Sequence, residues 1–344
     1  MTAKAMKPKV IDVHTHLYPP RYLELMRDRL EVPKVVRRED NDFLVILPGE
    51  DDIQNCTGRR MDEAYTSIES KLQYMDDSGI DVSVLSLANP WLDFLSAQEA
   101  VKWAIAVNDD FERLAANSKG RLLALATLPT SAGVEACLTE LVRVSSHQHV
   151  RGVILSTMGL GNGLDDQSME AVWKKLVELD YVAFVHPHYG IGNEHYADYG
   201  HALYLAMGFP FETTVAAAKL ALSGVLERFD DLKLMLAHGG GTIPYLAGRL
   251  DSCVAHDESI RKSDHRPSTL LQRAILDSVV YSEEALRLAI EFAGSEKVVF
   301  GTDHPFSISE PHTILGTIDA IAGNNDELLA AILGANASRI LQLR

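Results

Sequence analysis

The chain has 344 residues, 47% of them hydrophobic, with 32 Lys and Arg against 48 Asp and Glu, a formal net charge of −16. That apolar content is ample for a packed core and excludes a disordered or fibrous chain. The acidic balance argues against nucleic-acid or anionic-membrane partners, since both need a positive field. No apolar run reaches the roughly 18 residues of a membrane span.

In chain order, short apolar runs alternate with longer amphipathic stretches. The runs are 10–13, 82–87, 122–128, 153–155, 182–185, 234–237, 279–281 and 298–300. They are apolar throughout rather than alternating, the pattern of parallel strands covered on both faces. Helices are predicted over 62–78, 98–117, 134–144, 169–179, 213–226, 243–254, 283–292 and 326–341. Eight strand–helix units without a linker or boundary predict one α/β domain over 1–344, a (β/α)8 TIM barrel. Residues 17–61 are too long for a simple connection after strand 1. They read as an insertion near the barrel mouth, with a short strand at 43–47.

In such barrels the chemistry sits where the strands end. Strand one ends in His14-Thr15-His16, strand five in His186, strand six in His238 and strand eight in Gly301-Thr302-Asp303. The two-residue period of a strand turns His14 and His16 the same way. His186 and Asp303 complete a mixed N/O donor set suited to Zn²⁺ or a similar divalent ion. Cys56, Cys137 and Cys253 are widely spaced and form no CxxC pair, which fits a reducing cytoplasm. The glycine-rich stretch 159–166 lacks a P-loop signature and reads as a flexible active-site loop.

The segments IDVHTH at 11–16, FVHP at 184–187, LAHGGG at 236–241 and FGTDHPF at 300–306 resemble the amidohydrolase superfamily, in its aminocarboxymuconate-semialdehyde decarboxylase branch. The narrower resemblance is to the isoorotate (5-carboxyuracil) decarboxylases, carried by SLANPW at 86–91, GLGNGLDD at 159–166, HPHYG at 186–190 and LAGR at 246–249. It implies one metal ion, because the fourth strand carries no Lys that could become carboxylated to bridge a second. Zn²⁺ is expected, with Mn²⁺ as the alternative. It further implies that Asp303 is both ligand and proton donor, that His238 stands beside the metal, and that Arg59 and Arg249 contact the substrate, Arg249 near a dimer interface.

Asn89 offers a donor and an acceptor to an imide edge. Phe306 offers a face to a planar ring. The expected activity is metal-dependent, non-oxidative decarboxylation of a carboxylated pyrimidine by a homodimer or homotetramer acting on a small molecule. A carboxylated phenol or aminocarboxymuconate semialdehyde is the alternative substrate. Hydrolysis of a lactone or amide is the alternative reaction.

Overall fold

In the computed structural model, the structure describes residues 8–47, 50, 58–196, 199–260 and 263–343. The strands in chain order are β1 (Ile11–His16), β2 (Lys34–Arg38), β3 (Asn41–Val45), β4 (Arg59–Met61), β5 (Val82–Ser86), β6 (Leu122–Thr127), β7 (Val150–Ser156), β8 (Val182–His186), β9 (Lys233–Leu236), β10 (Ile275–Asp277) and β11 (Val298–Val299). Eight of them form one parallel sheet in the order β1-β5-β6-β7-β8-β9-β10-β11. The backbone after β11 returns to β1. Val13 N donates to Phe300 O at 2.9 Å, Asp303 N to His14 O at 2.8 Å, and His16 N to His304 O at 2.8 Å. The result is the expected (β/α)8 barrel.

The eight barrel strands are buried along nearly all their length, because side chains on one face fill the barrel and those on the other meet the helices. Phe111 and Trp173 are among the largest fully buried side chains of the helical ring. Two of the helices begin at serine caps. Ser96 accepts from Glu99 N and Ser282 from Ala285 N.

The segment predicted as one helix over 62–78 breaks at Ser67, whose side chain caps the helix Ile68–Ser78 by accepting from Ser70 N. A further helix, Pro311–Ala322, begins with Pro in its first turn, and the sequence reading did not anticipate it. The seventh strand is also corrected: it is Ile275–Asp277, and 279–281 lies beyond its end. Two apolar triplets flank Asp277-Ser278, and the sequence does not say which of them enters the sheet.

The insertion after β1 holds a helix, Pro20–Asp28, and an antiparallel sheet ordered β2-β3-β4. Arg27 and Arg37 both pair with Asp42, at 2.7 and 3.0 Å, fastening helix and hairpin together. No helix among the described residues is long and apolar enough to cross a membrane. Cys137 is buried and Cys253 exposed, both free thiols; Cys56 lies outside the described residues.

Candidate metal centre

β1 presents His14 and His16, both fully buried, into the C-terminal mouth of the barrel. β8 ends in His186, His238 follows β9, and Asp303 follows β11. The donor atoms of His14, His186, His238 and Asp303 all lie within 4.8 Å of one another. His16 Nε2 is 3.1 Å from His14 Nε2 and 3.3 Å from Asp303 Oδ1. Thus His14, His186, His238 and Asp303 form one donor cluster, and His16 stands beside it. The reason is backbone geometry: His238 and Asp303 both take left-handed conformations, φ +56° and +60°, which turn their side chains over the strand ends. The site also needs Gly301, since a Cβ there would lie 2.8 Å from His14 Cβ.

The hydrogen bonds fix which ring nitrogens are free. His14 Nδ1 donates to Asp277 Oδ2 at 2.7 Å, and His186 Nδ1 to Pro187 O at 2.9 Å. Ser86 Oγ gives its hydrogen to Thr15 O and so accepts from His16 Nδ1 at 3.0 Å. Each neutral imidazole therefore turns an Nε2 lone pair toward Asp303. Among the described residues, the buried His186 Nε2 and Asp303 Oδ1 have no hydrogen-bond partner. Lone pairs converging on a carboxylate oxygen are a donor set for a cation, and outer partners that lock the tautomers are the usual companion of such sites.

A proton and a cation compete for this cluster: burial opposes a proton on His14, yet Asp303 and Asp277 push it up to about 10, so His14 Nε2 carries a hydrogen toward Asp303 unless a cation displaces it. Burial takes His16 down to about 4 and drives His186 well below its ordinary value. Burial also resists charge on Asp303, but the charge of His14 and the His16 and His238 rings beside it hold it well below the usual carboxylate range. The two oxygens of Asp303 face different neighbours. Oδ1 lies 3.2 Å from His14 Nε2, and Oδ2 lies 3.5 Å from His238 Nε2.

Sequence reasoning missed Asp277, Tyr18 and Lys71. Asp277 is fully buried and holds His14 from behind; misplacing the seventh strand by four residues concealed it. Tyr18 is buried in the insertion, its hydroxyl donating to Asn89 O at 2.8 Å and accepting from Arg59 Nη1 at 3.2 Å. Lys71 is a fully buried cation whose Nζ lies 3.2 Å from His304 Nδ1. Only the unusual sight of Lys on the apolar side of a predicted helix signalled it.

Arg59, on β4, places its guanidinium 4.3 Å over the Phe306 ring, and that ring is 5.4 Å from His16. Asn89 is buried, and its Nδ2 donates to His188 O at 3.0 Å, so part of its amide ties β5 to β8. Arg59 and Phe306 therefore share one wall beside His16, and Tyr18 links Arg59 to the backbone oxygen of Asn89. Arg249 does not join them: it is exposed on the helix Ile243–His256. The loop 159–166 is anchored rather than loose, with Leu160 and Leu164 buried and Asp165 paired with Lys219 at 2.7 Å.

A parallel barrel that gathers four histidines and an aspartate at its C-terminal mouth defines a metal-dependent barrel enzyme. Residues 11–343 match the amidohydrolase family, and the chain belongs to that family. It is 26% identical over 351 residues to the 2-amino-3-carboxymuconate-6-semialdehyde decarboxylase of Dictyostelium discoideum, covering 97% of this chain and 91% of the relative. The crystal structure of Metarhizium anisopliae IDCase in apo form superposes with a TM-score of 0.92 at 36% identity, covering 98% of this chain and 97% of that one. A dihydroxybenzoic acid decarboxylase of Polaromonas with bound manganese and the inhibitor 2-nitroresorcinol shares the fold, with a TM-score of 0.76 at 20% identity and 98% of both chains covered.

Proposed function

We propose that this protein is a metal-dependent, non-oxidative decarboxylase that converts 5-carboxyuracil to uracil and CO₂. The observation that carries the reaction is the divided environment of Asp303, with Oδ1 among the His14 and His16 nitrogens and Oδ2 toward His238. The substrate is supported by the likeness to IDCase, an isoorotate decarboxylase, along nearly the whole chain. His14, His16, His186 and Asp303 would hold one divalent ion. Zn²⁺ suits three nitrogens and a carboxylate, with Mn²⁺ the alternative. When bound, that ion supplies positive charge for the substrate carboxylate and a neighbouring ring oxygen.

The chain's own residues do the rest. Arg59, its fork steadied by Tyr18 and Phe306, binds an anionic oxygen. Phe306 forms the wall against which a planar ring packs, and Asn89 meets its imide edge. Asp303, ionised at rest, first takes up a proton through the His238 Nε2 beside its Oδ2 and then passes it to the ring carbon that bears the carboxylate. The bond to that carboxylate then breaks, its electron pair returns to the ring, and CO₂ leaves. Burial of the cluster keeps water out of competition. We assign Arg249, exposed on its helix, to the site of a neighbouring copy in a homodimer or homotetramer.

Product analysis tests the reading. Purified enzyme is incubated with 5-carboxyuracil, carboxylated phenols and 2-amino-3-carboxymuconate semialdehyde. Uracil with an equal amount of CO₂ is expected. Turnover of the phenols or the semialdehyde alone moves the substrate class, and ring-opened product without CO₂ overturns decarboxylation.

A further inference from the structure

We propose that Asp277 is a positioning residue that sets two parts of the centre at once. It fixes the His14 imidazole with Nε2 free for metal, and it holds the His238 backbone in the turn that carries this side chain to Asp303. The inference rests on the metal and proton-transfer roles proposed above.

Four donors converge on this fully buried carboxylate. Oδ2 accepts from His14 Nδ1 at 2.7 Å and from His238 N at 3.0 Å. Oδ1 accepts from Gly239 N at 2.8 Å and from Val279 N at 3.1 Å. Two oxygens that only accept match four groups that only donate. An amide cannot do this, because whichever way it turns, its NH₂ faces one pair of donors. A buried donor left unpaired is costly, so one pair must move.

Each pair has a distinct consequence. Without its acceptor, His14 is free to carry its proton on Nε2, which removes the lone pair that faces Asp303. Without the grip on His238 N and Gly239 N, the left-handed turn loses its support. His238 has φ +56° and Gly239 φ +63°, a conformation unfavourable for a residue with a Cβ. Gly239 has no room for a side chain, since a Cβ would lie 2.4 Å from Val280 Cγ1. Asp277 thus acts through both His14 and His238 from beneath the centre.

The test is Asp277→Asn in the full-length protein. Zinc affinity is measured by competition with a chromophoric chelator, without substrate, and is expected to fall by about 10–100-fold, as for other residues that orient metal-bound histidines. At saturating zinc, kcat is expected to stay depressed by roughly tenfold with KM little changed, because the His238 turn remains loosened. Gly239→Ala strains that turn from the other side. It should lower kcat by a similar factor while leaving zinc affinity within about twofold of wild type, since Asp277 still holds His14.

Wild-type zinc affinity in Asp277→Asn overturns the His14 half. Wild-type kcat at saturating zinc in either variant overturns the His238 half. The chelator assay needs no turnover, so a wild-type chain that binds zinc yet releases no CO₂ refutes the proposed reaction and leaves the affinity comparison standing.

Discussion

His238 Nε2 stands 3.5 Å from Asp303 Oδ2, the carboxylate oxygen not shared with His14 and His16. In the proposed reaction this one side chain serves both the cation, through Oδ1, and the proton transfer, through Oδ2. Asp303→Asn removes the charge from both. The expected result is a loss of kcat on the order of 10²–10⁴, the usual worth of general acid catalysis, together with weaker zinc retention. His238→Ala should lower kcat while zinc content per chain stays near that of wild type. Steady-state kinetics with elemental analysis check both.

Tyr18 is the joint between the insertion and the barrel. Tyr18→Phe removes one hydrogen bond to Arg59 and one to Asn89 O without changing the packed volume. Substrate binding should weaken by about 0.5–1.5 kcal/mol, seen as a higher KM with kcat nearly unchanged. A fall in kcat at constant KM would place Tyr18 in the chemistry instead.

Phe306 backs the Arg59 guanidinium at 4.3 Å. Phe306→Ala should cost about 1 kcal/mol of substrate binding, because both a ring face and a support for the cation are lost. Arg59→Ala should cost more, about 1.5–3 kcal/mol for a charged hydrogen bond. The double variant should cost less than the sum, since the two act as one unit. KM values for 5-carboxyuracil across the three variants measure this.

His304 links stability to pH. Burial and the Lys71 charge together lower it from 6.5 to about 2. The unfolded chain therefore takes up this proton as pH falls below 6.5, while the folded protein does not until about 2. The contribution of a neutral His304 is complete above pH 6.5 and is lost progressively as pH falls toward 2. In urea denaturation between pH 6 and pH 5, His304→Asn should flatten the loss of stability by about 1.4 kcal/mol per pH unit, the worth of one proton. An unchanged slope would show that His304 titrates alike in both states.

Removal of divalent ions should abolish turnover and lower the thermal midpoint, because bound metal stabilises only the folded chain. Readdition of Zn²⁺ or Mn²⁺ should restore both. Full turnover of chelated enzyme, verified metal-free by elemental analysis, would overturn the metal requirement.

The chain's periodicities carried the barrel, and its strand-end motifs carried the metal cluster. Apolar runs at regular spacing have few ways to bury themselves, and HxH on one strand points two imidazoles the same way whatever else happens. Those are local facts, so His14, His16, His186, His238 and Asp303 were legible from sequence alone.

What surrounds them was not. Asp277 lies 263 residues from His14, Lys71 lies 233 from His304, and Arg59 lies 41 from Tyr18. Nothing in a one-dimensional pattern tells a buried Lys or Asp from an exposed one when its partner arrives from another part of the chain. Residue type and spacing alone determined which groups could bind a metal. The packed chain decided which carboxylate stands behind His14 and which arginine lies over Phe306, because buried polar groups must find partners and only the folded chain supplies them.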